Sequence, residues 1–158
     1  MSILIRRLPI AALLLSLASA AHAQAPTPRL ETLEVVSSGF SGAGEKVEPG
    51  KIRRFFSRTP AVNAQKGTAF GMTVRPVGEP KGAEVTLRWV WRAPRPGVMD
   101  MKTGKYSRRI TEEAPAKIGE ETQRTYEFKE ANDIVLGNWR VEVWNGMRRL
   151  AVRRFAVK

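Results

Sequence analysis

Apolar and polar residues alternate in several short stretches of this chain, and no stretch shows the three- and four-residue recurrence of a long amphipathic helix. The last stretch is the most regular. From Gly137 to Val157, two alternating runs flank Asn145-Gly146, a favoured occupant of a two-residue type I′ turn because both central residues need φ > 0. Counting outward from that turn sets Glu142 opposite Arg149, Val141 opposite Leu150 and Trp139 opposite Val152. One face is then Trp139, Val141, Val143, Leu150 and Val152, and the other is Arg140, Glu142, Trp144, Arg149 and Ala151. A slip of one residue would put the apolar set in water, so the pattern specifies its register. Phe155 and Val157 have the opposite parity to Leu150 and Val152, which predicts a bulge near Arg153-Arg154.

Upstream, Leu30 to Ser38 predicts a first strand, and the Gly- and Ser-rich segment Gly39 to Gly50 predicts a loop. Lys51 to Thr59 sets Arg53, Arg54 and Arg58 around Phe55 and Phe56, the pattern of an edge strand kept soluble by arginine. Thr68 to Val77 is a strand with Phe70, Met72 and Val74 on one face. Ala83 to Arg92 alternates most cleanly, with Val85, Leu87, Trp89 and Trp91 on the apolar side and only Val90 interrupting the polar one. Tyr106 to Thr111 predicts a weak edge strand. Glu112-Glu113 and Glu120-Glu121 flank a Pro/Ala/Gly segment that predicts a loop, and Thr122 to Glu130 predicts another strand. About seven short strands with turn signals between them make an all-β antiparallel sandwich.

The N-terminus adds a destination. Arg6 and Arg7, an apolar run from Leu8 to Ala18 and the small-x-small triplet Ala21-His22-Ala23 form a cleavable signal peptide. The run is shorter than the ~20 apolar residues that span a bilayer. Residues 1–23 are thus read as the signal, 24–29 as a disordered tail and 30–158 as one sandwich domain, periplasmic or secreted, with no stable membrane insertion after cleavage. The signal holds two of the 27 Lys and Arg and none of the 15 Asp and Glu, so removing it lowers the net charge from +12 to +10.

Cleavage also removes His22, the only histidine, and the chain has no cysteine. Ser-His-Asp and Cys-His catalysis are therefore excluded, as are zinc, copper or haem sites built on those side chains. No cofactor, metal or catalytic residue is expected. An enzyme would have to rely on Asp, Glu, Ser, Tyr, Lys or Arg alone. Gly104-Lys105 lacks both the upstream glycine and the following Ser/Thr of a phosphate loop.

Lys66-Gly-Thr-Ala-Phe-Gly71, the loop residues Pro96-Gly97 and Thr103-Gly-Lys105, and the ending with Gly137, Trp139, Trp144, Leu150, Phe155 and Val157 resemble a bacterial family of exported domains. That family is domain of unknown function 3859. The resemblance implies an immunoglobulin-like β-sandwich of about seven strands behind a cleavable signal peptide. It brings no activity and no catalytic residue.

Two functions then compete. One is a non-catalytic envelope module whose partner is another envelope protein. The other is an anion-binding protein for an anionic polymer or surface, such as acidic glycan, lipid headgroup or nucleic acid. In an immunoglobulin-like sandwich the Trp89 strand and the closing hairpin lie in one sheet, and parity then gathers Arg88, Arg92, Arg140, Trp144, Arg149 and Arg153 on one solvent face around Glu142. The opposing view is that these arginines only lay their stems over apolar surface. The exported protein is expected to begin at Gln24. Its intact mass checks this, and a mass that retains Leu8 to Ala18 refutes it.

Overall fold

The alternation that marks 84–92 and 137–157 as strands buries its apolar phase against a second sheet. The computed structural model describes residues 27–44, 51–53, 55 and 61–158; the signal-peptide reading and most of the Lys51–Thr59 reading lie outside them. Seven strands carry the fold: β1 (Arg29–Ser41), β3 (Ala69–Glu79), β4 (Glu84–Arg92), β7 (Arg109–Lys117), β8 (Thr122–Glu127), β9 (Gly137–Asn145) and β10 (Arg148–Val157). Three two-residue strands accompany them, β2 (Ala61–Val62), β5 (Val98–Met99) and β6 (Tyr106–Ser107). One sheet has the order β1-β3-β8 and the other β2-β10-β9-β4-β7, while β5 and β6 form a small ribbon. All pairings are antiparallel except that of β2 with β10. No helix among the described residues is long and apolar enough to cross a membrane.

Aromatic rings bridge the two sheets. Phe70 of β3 lies 5.4 Å from Trp139 and 5.1 Å from Phe155 of the opposite sheet, with Phe128 at 5.6 Å and Tyr126 at 5.9 Å beside it. Tilted and edge-on contacts of this kind add to the energy of area burial. Trp139 is completely buried, and its indole N–H donates to the Val135 carbonyl at 2.7 Å, so the core carries no penalty for that polar atom. Burial pushes the Tyr126 phenol well above its usual pKa, with the negative charge of Asp133 adding to the shift. Gly71 is required beside this cluster, since a Cβ there would run into the Arg124 carbonyl of β8.

Four expectations change. The loop expected from Gly39 starts later, because Gly39, Phe40 and Ser41 still pair with Gly71, Phe70 and Ala69. The Pro/Ala segment after Glu112 is strand β7 and not a loop. It is an edge strand, where Pro115 removes no ladder hydrogen bond that a neighbour needs, and Ala114 and Ala116 turn inward. The described part of Lys51–Thr59 is not a strand. Arg53 ties it to the first sheet through Ser41 at 2.8 Å, Gln123 at 2.7 Å and Glu127 at 3.3 Å.

The closing hairpin differs most. Asn145 pairs with Arg148, so the turn residues are Gly146 and Met147. Only Gly146 has positive φ, at 55°, the sign pattern of a type II′ turn with Gly first. Asn145 stays in the strand because its side-chain amide donates to the Thr86 carbonyl of β4 at 3.0 Å. The bulge is real but falls between Arg149 and Ala151, earlier than expected. Ala151, Phe155 and Val157 therefore face the core, and Val152 faces out opposite Glu142.

Removing the Trp139 ring should leave a hole that the rigid cluster cannot close. Trp139→Ala is expected to lower stability by about 3–5 kcal/mol, a large share of a typical total of about 5–15 kcal/mol. Equilibrium urea unfolding checks this, and a loss below about 1 kcal/mol contradicts it.

Candidate anion-binding sheet face

Side chains of β4 alternate across the sheet, so with Trp89 and Trp91 in the core, Arg88, Val90 and Arg92 face outward. Cross-strand pairing then builds this outer face row by row. The first row is Glu113, Arg88, Trp144 and Arg149. The middle row is Thr111, Val90, Glu142 and Val152. The third is Arg109, Arg92, Arg140 and Arg154, four arginines side by side on four adjacent strands. Neighbouring strands are about 4.8 Å apart. Like charges opposite one another oppose pairing, so this row is a local electrostatic cost built into the sheet.

Glu142 offsets part of it. Its side chain is 1% exposed, although it faces away from the core. The Arg92 Nε donates to Oε1 at 3.0 Å and the Trp144 indole donates to Oε2 at 3.0 Å. The Arg140 Nε sits 2.7 Å from Oε1 but off the hydrogen-bonding direction, and the Arg149 Nη1 is 3.9 Å away. Burial raises the Glu142 pKa, yet the hydrogen bonds from Arg92 and Trp144, with the attraction of Arg92 and Arg140, outweigh it and leave the carboxyl below its usual value. Val90 is fully buried on the same side. The arginine stems roof both residues over.

The face thus divides in two. Around Trp144 the charges are occupied: the guanidinium carbons of Arg88 and Arg149 lie 5.6 and 5.9 Å from the ring centroid, and Arg88 also donates to the Gly146 carbonyl at 3.0 Å. A ligand could not stack on Trp144 without displacing one of these cations. At the other end, the arginine row opens into a basin of about 540 Å³ that is lined by Arg92, Arg108, Arg109, Arg140 and Arg154 together with Pro94 and Asn138. No acidic residue lines it. Neither Arg109 nor Arg154 has a side-chain hydrogen bond or ion pair among the described residues. Arg108 donates only a long bond, 3.4 Å, to the Ala93 carbonyl.

Five of the six expected site residues, Arg88, Arg92, Arg140, Trp144 and Arg149, come together around Glu142. Arg153 does not. The early bulge gives it the parity of Ala151 and Phe155, opposite Val141, and its Nη1 turns back to the Val152 carbonyl at 2.9 Å. Arg154 takes its place, for the same reason. Arg108 and Arg109 are not among the expected site residues, because the pattern of 106–111 predicts a weak edge strand and assigns it no neighbour. Its own signal was there, two adjacent arginines at the start of a strand.

An antiparallel two-sheet sandwich with one arginine-rich outer face is the class that these observations define. Its three-dimensional structure is similar, with a TM-score of 0.62, to an immunoglobulin-like protein from Pseudomonas aeruginosa that is 27% identical over 86% of this chain and 99% of that one. The fold is immunoglobulin-like. A weaker likeness, TM-score 0.42 at 16% identity, relates 83% of this chain to 16% of a β-glucosidase from Listeria innocua, a level that says nothing of activity. No family model and no curated protein sequence matches the chain.

Because the folded state lowers the pKa of Glu142, its ionised form contributes stability above the unfolded value, and that contribution is lost as pH falls through the folded one. Glu142→Gln should therefore cost about 1–3 kcal/mol at neutral pH, and its gap from wild type should shrink in acid. Urea midpoints for both proteins at the two pH values check this. An equal gap in acid contradicts it.

Proposed function

We propose that the protein is an exported, non-catalytic envelope module of the kind implied by its resemblance to domain of unknown function 3859, and that it binds an oxyanion-bearing partner on the arginine row. The observation that carries this reading is the row itself: four arginines on adjacent strands, next to a basin with no acid, where two of the four have no protein partner among the described residues. Arginine suits the task, because its planar fork binds carboxylate, sulfate or phosphate through two parallel hydrogen bonds. A protein that needed only solubility would gain as much from lysines scattered over its surface. The absence of histidine and cysteine beyond the signal and the +10 charge point the same way. Partner selection through an immunoglobulin-like sheet face needs no moving part.

Arg109→Glu with Arg154→Glu tests the proposal without touching Glu142. A charge-assisted hydrogen bond contributes about 1.5–3 kcal/mol, so the pair should weaken binding to heparin more than tenfold at ~0.15 M salt, where screening reaches only about 8 Å. Arg29→Glu with Lys129→Glu, both exposed and outside the basin, is the control of equal charge change. Equal losses from the two pairs would remove any special role for the row.

A further inference from the structure

Beside the basic basin lies a second depression of about 410 Å³, lined by Pro96, Met99, Tyr106, Ile134, Val135 and Leu136 together with Asn132 and the exposed Arg95. The same three chain segments build both. The stretch that brings Arg92 and Pro94 to the basin continues into Pro96 and Met99. The one that brings Arg108 and Arg109 is preceded by Tyr106, and the one that brings Asn138 and Arg140 is preceded by Ile134 to Leu136. Between the two depressions, Pro94 packs against Gly137, whose φ is 120° and where a Cβ would come within 3.2 Å of the proline ring. Glycine keeps that dividing ridge low.

The depression is not an ordinary piece of surface. Leu136 is 61% exposed and Tyr106 57% exposed, although both are large and carry apolar area that folding would normally remove from water. Its one side-chain amide, Asn132 Nδ2, already donates to the Met99 carbonyl at 3.0 Å, which leaves the Arg95 guanidinium and the Tyr106 hydroxyl as the polar groups of an otherwise apolar lining. An apolar groove that begins where a row of cations ends matches a molecule with the same two halves.

We infer that the ligand of this face is a single-chain anionic amphiphile, whose oxyanion head sits on Arg109, Arg92, Arg140 and Arg154 and whose aliphatic chain crosses the Pro94–Gly137 ridge into the groove. The inference rests on the anion-binding reading of the row and adds the chemical class of the ligand. The head is fixed by bidentate hydrogen bonds, and the chain gains from leaving water. A long hydrophilic polyanion would use only the first half.

Binding of inorganic phosphate and of butyl, octyl and dodecyl phosphate, each below its micelle concentration, separates the two ideas in calorimetric titrations of the full mature chain. Affinity should rise about two- to fourfold per methylene until the groove is filled. Leu136→Ser should flatten that rise and leave inorganic phosphate binding unchanged. Arg109→Glu with Arg154→Glu should weaken every ligand in the series. Leu136 is exposed, so its variant should retain the wild-type urea midpoint; Tyr106→Ser serves as a second groove variant. Alkyl phosphates that bind no better than inorganic phosphate, or a chain-length dependence that survives both groove variants, overturn the amphiphile and leave the anion reading standing. If no member of the series binds, or if binding ignores the arginine pair, both fall.

Discussion

One backbone irregularity connects the core to the arginine-rich outer face. The bulge at Leu150 shifts β10 by one residue relative to β9, which sets Phe155 opposite Trp139 on the inside and Arg154 opposite Arg140 on the outside. Side chains alternate along a strand, so these two outcomes cannot be chosen separately. Phe155 reaches Phe70 at 5.1 Å because of that register, and the arginine row gains its fourth member from it. A strand without the bulge would carry a different residue at each position on both faces.

The outer face shows how a sheet can hold more like charge than pairing energetics favours. Glu142 is the counterweight. It is buried under the arginines that it attracts, so its attraction acts in a poorly screened environment and holds Arg92 in place. Its reach ends there. Arg109 and Arg154, at the two ends of the row, lie on β7 and β10, which flank the β4–β9 pair. The charge left without a partner among the described residues is thus placed in the lining of the basin.

Around Trp144 the same residue types do the opposite. Arg88 and Arg149 are drawn to its ring, its indole N–H is taken by Glu142, and the first row closes on itself. Paired and unpaired arginines are thereby divided along the strands of one sheet.

Much of this was legible in the chain. Clean alternation in 84–92 and 137–145 determined which residues enter the core and which face water, because in a strand that choice is a matter of parity alone. The same rule grouped Arg88, Arg92, Arg140 and Trp144. Absence of cysteine, and of any histidine other than His22, limits the chemistry whatever the fold. The start of β7 was legible as a weak edge strand, but its continuation over 112–117 was hidden because Glu, Pro and Ala are poor strand formers, and it is held by its pairing with β4 and not by its own propensity. The position of the bulge could not be read either. Leu150 and Arg153 are both acceptable sites for an extra residue, and only the fit of Phe155 against Phe70 in the opposite layer selects between them. Parity is a local property of the sequence; the register of one strand on the next is decided by packing across the sandwich, and with it went Arg153, Arg154 and the shape of the basin.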